Sequence, residues 1–109
     1  MKIVRKSKED LVRMRQAGRI VAEVLAVMHE MTRPGVSTAE LNTAADELIT
    51  RHKAIPAFKG YPHNGKNDFP ASICTSINEE IVHGIPSPRR TLKEGDIISI
   101  DVGAVYEGF

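Results

Sequence analysis

The sequence predicts an α+β fold in which two amphipathic helices cover the apolar face of a sheet. Three observations predict it. Ser7 with Asp10 and Ser37 with Glu40 are reciprocal helix caps, and each precedes an apolar stripe of helical period. Ala71 to Ile77, and again Ile97 to Val105, alternate with the two-residue period of a strand. Neither helical stripe can hide from water alone, so both require a common surface, and the strands supply it.

The first helix is expected over residues 8 to 31. Leu11, Met14, Gly18, Val21, Leu25 and Met28 recur at alternating steps of three and four, which makes them the expected core-facing stripe. Pro34 lacks a donor and Gly35 tolerates a reversal, so the helix stops there. The second helix is expected over about residues 38 to 52, with Leu41, Ala44, Ala45, Leu48 and Ile49 as its stripe.

From Ile55 to Pro70 the density of Pro, Gly, Asn and Asp argues against regular structure and predicts a long loop. Phe58, Tyr61 and Phe69 lie in it. They either line a pocket or anchor the loop to the body. Ala71 to Ile77 should then form a half-buried strand, with Ile73, Thr75 and Ile77 on one face and Ser72, Cys74 and Ser76 on the other. A turn at Asn78, Glu79 and Glu80 leads into a short expected strand, Ile81-Val82-His83, broken by the run from Gly84 to Pro88.

After a turn at Lys93, Glu94, Gly95 and Asp96, the run Ile97 to Val105 is expected as one strand. Ile98, Ile100, Val102 and Ala104 share its apolar face; Ile97, Ser99, Asp101, Gly103 and Val105 share the other. Glu107 and Gly108 begin a new turn, opening a hairpin without its return strand.

Composition narrows the function. A chain of 109 residues has room for one domain, and 41% hydrophobic with 27% charged residues suits a globular one. The net charge of +1 provides no general field for nucleic acid or anionic lipid, and 5% aromatic residues without Trp offer few stacking surfaces for bases. Basic residues concentrate early, at Lys2, Arg5, Lys6, Lys8, Arg13, Arg15, Arg19 and Arg33, and are read as a solvated helix face before a polyanion- or ribosome-facing patch. With one cysteine, no signal-like start and no apolar run of about 20 residues, a cytoplasmic chain without membrane contact is expected.

Asp101 is the sharpest chemical signal. A carboxylate inside an apolar strand is costly unless exposed, paired or bound to a cation, so it is either an exposed or edge-strand residue or a metal ligand. His83, before Gly84-Ile85-Pro86, is either structural or a proton shuttle and hydrogen-bond donor. Cys74 is either a buried structural cysteine or the soft floor of a thioether pocket, with a Cys74–His83 nucleophile pair as a remote alternative. His29, His52 and His63 show no zinc spacing, and neither a phosphate loop nor a dinucleotide fingerprint occurs.

The blocks SICTSINEEIVHGIP from Ser72 to Pro86 and LKEGDIISIDVG from Leu92 to Gly103, in this order and spacing, resemble type I methionine aminopeptidase. Gly60-Tyr61 and Phe69-Pro70-Ala71 match further features of that family, and the resemblance extends over essentially the whole chain. It implies the N-terminal half of a pita-bread (creatinase/aminopeptidase) fold, two helices packed on a curved antiparallel sheet. Residues 1–109 would be a truncated N-terminal portion of the catalytic domain. The implied activity is metal-dependent hydrolytic removal of methionine from the N-terminus of nascent polypeptides.

By the same resemblance, two divalent ions (manganese, cobalt, iron or zinc) are held by two aspartates, one histidine and two glutamates. Asp101 matches the first aspartate, and the other ligands are expected beyond Phe109. His83 matches the histidine that stabilises the reacting amide. Cys74 matches the cysteine of the methionine side-chain pocket, with Phe58, Tyr61 and Phe69 at or near other pocket positions. The run from Pro62 to Asp68 departs from the family as an insertion and puts one pocket wall in question. The isolated chain is expected to be inactive, since one ligand cannot preorganise a metal pair. The alternatives are a non-catalytic half-fold that binds or self-associates through an unpaired sheet edge, and a weakly supported nucleic-acid-binding relative.

Overall fold

The computed structural model describes residues 2–63 and 67–109, with His63 and Asn67 described in backbone alone. Among the described residues two helices, α1 (Lys8–Met31) and α2 (Thr38–Arg51), precede six short strands: β1 (Ile55–Pro56), β2 (Pro62–His63), β3 (Asn67–Asp68), β4 (Ile73–Ile77), β5 (Ile98–Val102) and β6 (Ala104–Val105). All pairings are antiparallel, β4 with β5, β1 with β6 and β2 with β3. The architecture is two helices packed against an open antiparallel sheet.

Both expected caps form. Ser7 Oγ accepts from Asp10 N while Asp10 Oδ2 accepts from Ser7 N, each at 3.0 Å, and Ser37 and Glu40 repeat the exchange at 3.1 and 2.9 Å. The helices therefore start where the sequence places them, because capping is a contact between residues three apart. The stripe of α2 is buried as expected, with Leu41, Ala45, Leu48 and Ile49 in the core and Ala44 packed against it.

The face of α1 differs from expectation. Met28 is buried as expected, but its buried companions are Ala17, Ile20 and Val24, whereas Leu11, Met14 and Leu25 are exposed. Two adjacent stripes of α1 carry apolar residues, offset by one position or about 100°. The core takes the stripe carrying Ile20, Val24 and Met28, and Val21 of the other stripe is half-buried. Each fully buried aliphatic side chain contributes about 1.5–3 kcal/mol of transfer free energy.

Strand β4 is buried along its whole length, on both faces, rather than half-buried. Ile73 and Ile77 join the core beneath the helices, while Cys74 packs with Phe69 and Ala71 on the opposite face. Asn42 of α2 sets where β4 begins: its Oδ1 accepts from Ser72 N at 2.8 Å and Ile73 N at 3.2 Å.

Residues Ile81, Val82 and His83 do not form the expected strand. His83 takes a left-handed φ of 62°, and it is the next residue, Gly84, that runs along β4, its carbonyl accepting from Thr75 N at 2.8 Å. A Cβ on Gly84 would lie 1.9 Å from Thr75 O, so only glycine fits there. The connection onward is tied to α2, since Thr38 Oγ1 both donates to Ser87 O and accepts from Ser87 N.

The expected strand from Ile97 to Val105 starts one residue later and breaks at Gly103 into β5 and β6. Its facing holds: Ile98, Ile100, Val102 and Ala104 pack on the core while Ser99 and Asp101 are exposed. The loop from Ile55 to Pro70 contains three two-residue strands, too short to show periodicity. After β6, Tyr106 and Phe109 exchange backbone hydrogen bonds of 2.6 and 3.0 Å around Glu107 and Gly108, whose φ values are 47° and 88°. Two successive positive φ values mark the mirror-image turn that joins tight hairpins.

Candidate active site

One cavity of about 430 Å³ gathers Phe58, Tyr61, Phe69, Cys74, His83 and Asp101. These six residues come from four separate stretches of chain. Cys74 on β4 is the register partner of Asp101 on β5, so the strand pairing itself sets thiol and carboxylate side by side on the open face. Phe69 and Cys74 are each 5% exposed and form a small apolar cluster against which Phe58 packs. Asp101 is exposed and His83 lies at a surface turn.

The cavity also includes Ala57, which the sequence did not single out, and Pro62, the first residue of the run that departs from the family. Ala57 is held by its N–H donating to Gly103 O at 2.9 Å, and a Cβ on Gly103 would sit 3.1 Å from the Ala57 methyl. The break between β5 and β6 therefore doubles as the space into which the Ala57–Phe58 wall fits. The small residue beside Phe58 was the available signal. Residues 64–66 of the Pro62 to Asp68 insertion lie outside the described residues, and the side chain of His63 with them.

Burial pushes the Cys74 thiol above its ordinary pKa of 9.0, and the charge of Asp101 pushes in the same direction. The sulfur is therefore a protonated, apolar wall at neutral pH, which weighs against a cysteine nucleophile. His29 and His52 are not among the residues that line the cavity: His52 caps α2 and meets Glu23 of α1, Nε2 to Oε2, at 2.8 Å. Among the described residues no group of three or more His, Cys, Asp or Glu side chains is placed to hold a metal ion.

The segment leading to His83 is braced by Glu80. Its carboxylate accepts from Ile77 N at 3.0 Å and from Arg90 Nη1 at 2.5 Å. The backbone N–H first, and Arg90 second, hold the Glu80 carboxyl below its ordinary value of 4.5. A depressed folded-state pKa means stability that is present at neutral pH and lost as pH falls below 4.5 through the lowered value. Glu80→Gln should therefore melt below the parent chain at pH 7, and the gap should close on acidification. Thermal melts across pH 3–7 check this, and a constant gap would remove the role.

Helices lie behind an open antiparallel sheet, and His83 and Asp101 stand beside an apolar cavity on the sheet's other face. The chain belongs to metallopeptidase family M24, whose model matches residues 12–109. It is 51% identical over 107 residues to the methionine aminopeptidase of Clostridium acetobutylicum, covering 98% of this chain and 41% of that protein. To the methionine aminopeptidase of Escherichia coli K12 it is 43% identical over 110 residues, covering all of this chain and 40% of that protein. The crystal structure of methionine aminopeptidase from Thermotoga maritima superposes with a TM-score of 0.89 at 38% identity, covering 98% of this chain and 41% of that one. That from Rickettsia prowazekii gives 0.81 at 44% identity, covering 94% and 39%. The chain thus spans about two fifths of the length of these relatives. Among the described residues, no helix is long and apolar enough to cross a membrane.

Proposed function

We propose that this chain is the N-terminal portion of a methionine aminopeptidase catalytic domain, residues 1–109, working in the cytoplasm on the N-terminus of nascent polypeptides. The observation that carries this reading is the single cavity in which apolar and sulfur-bearing walls meet His83 and Asp101. Phe58, Tyr61, Phe69 and Cys74 take the unbranched thioether side chain of the terminal methionine. A protonated, buried sulfur and aromatic rings suit a thioether, which is apolar and polarisable. His83 donates a hydrogen bond to the reacting amide and stabilises the charge that develops on its oxygen.

Asp101 supplies the first carboxylate of the metal site. A catalytic metal centre takes about three protein ligands, and the described residues do not make one. The likeness to the family implies two divalent ions in the full-length relatives, with the remaining ligands drawn from the part of those proteins outside this alignment.

Two measurements on the 109-residue chain test the reading. With excess manganese or cobalt and a Met-Ala peptide, turnover should not exceed a metal-only control, and sustained turnover would overturn the incomplete-site assignment. Methioninamide in the millimolar range should shift the NMR signals of Cys74 and Phe69 while lysinamide leaves them in place. Equal response to both amides, or to neither, would refute the pocket assignment.

A further inference from the structure

We infer that Ser76 is a positioning residue for His83, acting through the backbone amide of Gly84. The inference rests on the reading above for what His83 does in the pocket, but not for how His83 comes to be there. His83 holds a left-handed backbone at φ 62°, which non-glycine residues adopt at a cost and keep only where the surroundings over-determine it. Gly84 is buried, its carbonyl accepts from Thr75 N at 2.8 Å, and its N–H donates to Ser76 Oγ at 3.1 Å in a buried bond.

These two bonds differ in kind. The bond to Thr75 is edge pairing, which any non-proline residue at position 75 would donate. The bond to Ser76 needs a side-chain acceptor at that one position. Ser76 is 3% exposed and shares with Cys74 the face of β4 that looks toward the cavity. Its hydroxyl fixes the His83–Gly84 peptide plane, and that plane sets the direction in which the His83 side chain leaves the backbone. An alanine there leaves the buried Gly84 N–H without its acceptor, which favours rotation of the peptide and relaxation of His83 out of the left-handed region.

The test is NMR on the labelled 109-residue chain at one fixed pH, comparing the parent with Ser76→Ala, Ser76→Thr and Ser76→Cys. In Ser76→Ala the Gly84 amide should exchange on the order of tenfold faster, the size expected for loss of one hydrogen bond. The His83 ring signals should move, and their NOEs to cavity side chains should weaken. Methyl signals of Ile20, Val24 and Leu41 should stay in place, showing an intact core. Ser76→Thr, which keeps a hydroxyl, should restore the His83 signals, and Ser76→Cys, a weaker acceptor, should fall between. Unchanged His83 signals in a folded Ser76→Ala chain would overturn the inference, as would a folded threonine variant no better than alanine. None of these readouts is turnover or ligand binding, so failure of the aminopeptidase reading and failure of this inference are separately visible.

Discussion

Gly84→Ala should cost about 3 kcal/mol or more, among the largest effects of any single methyl addition in this chain. The added Cβ would meet the Thr75 carbonyl oxygen at 1.9 Å and the carbonyl carbon at 2.6 Å. Both are backbone atoms of the buried strand β4, so no rotamer change relieves the clash. Either β4 moves against the helices or the Gly84 segment lifts away, carrying His83 with it. Denaturant unfolding measures the loss. Gly18→Ala is the control, since nothing lies within 4 Å of a Cβ at that exposed position of α1. There the same substitution should stabilise by roughly 0.5–1 kcal/mol through helix propensity. A Gly84→Ala chain within about 0.5 kcal/mol of the parent would show that the segment is not seated against β4.

Ile20→Ala should destabilise by about 3 kcal/mol, whereas Leu25→Ala should stay within about 0.5 kcal/mol. Both remove a large aliphatic side chain from the same helix. Ile20 is 1% exposed and sits in the core with Val24, Met28 and Leu41, while Leu25 is 43% exposed. For a domain of this size the Ile20 loss lowers the melting temperature by roughly 12–24 °C. Comparable losses in the two variants would mean that α1 is rotated from the orientation described.

The contrast between these leucine and isoleucine positions also marks the limit of what the sequence could say. Caps at Ser7 and Ser37 were readable because their partners are three residues away, and the stripe of α2 because it stands alone. On α1 two apolar stripes compete, and the choice between them depends on which one α2 and β5 can approach. The alternation in β4 was visible, but its complete burial depends on Phe69 and Phe58 covering the second face, which the strand's own sequence does not specify. Ile81 to His83 looked like a strand by composition, and the left-handed turn at His83 is dictated by how Gly84 seats rather than by local propensity. For the site, the aromatic residues in the Ile55 to Pro70 loop were conspicuous and their company in one cavity was not. For His83, Cys74 and Asp101 the residues alone left a structural and a chemical reading open, and the two sequence blocks with their resemblance chose between them.

The turn from Tyr106 to Phe109 carries a rule about parity. Because its ends exchange both hydrogen bonds, Phe109 is locked opposite Tyr106. Any strand continuing from it must count back along β6 one residue at a time, placing its third residue opposite Gly103. Gly103 has the same parity as Asp101, so that third residue would point to the open face. A single insertion or deletion in the turn would invert every side chain that followed. Two residues in left-handed geometry, Glu107 and Gly108, thus decide which half of the next strand's side chains could ever reach the Asp101 carboxylate.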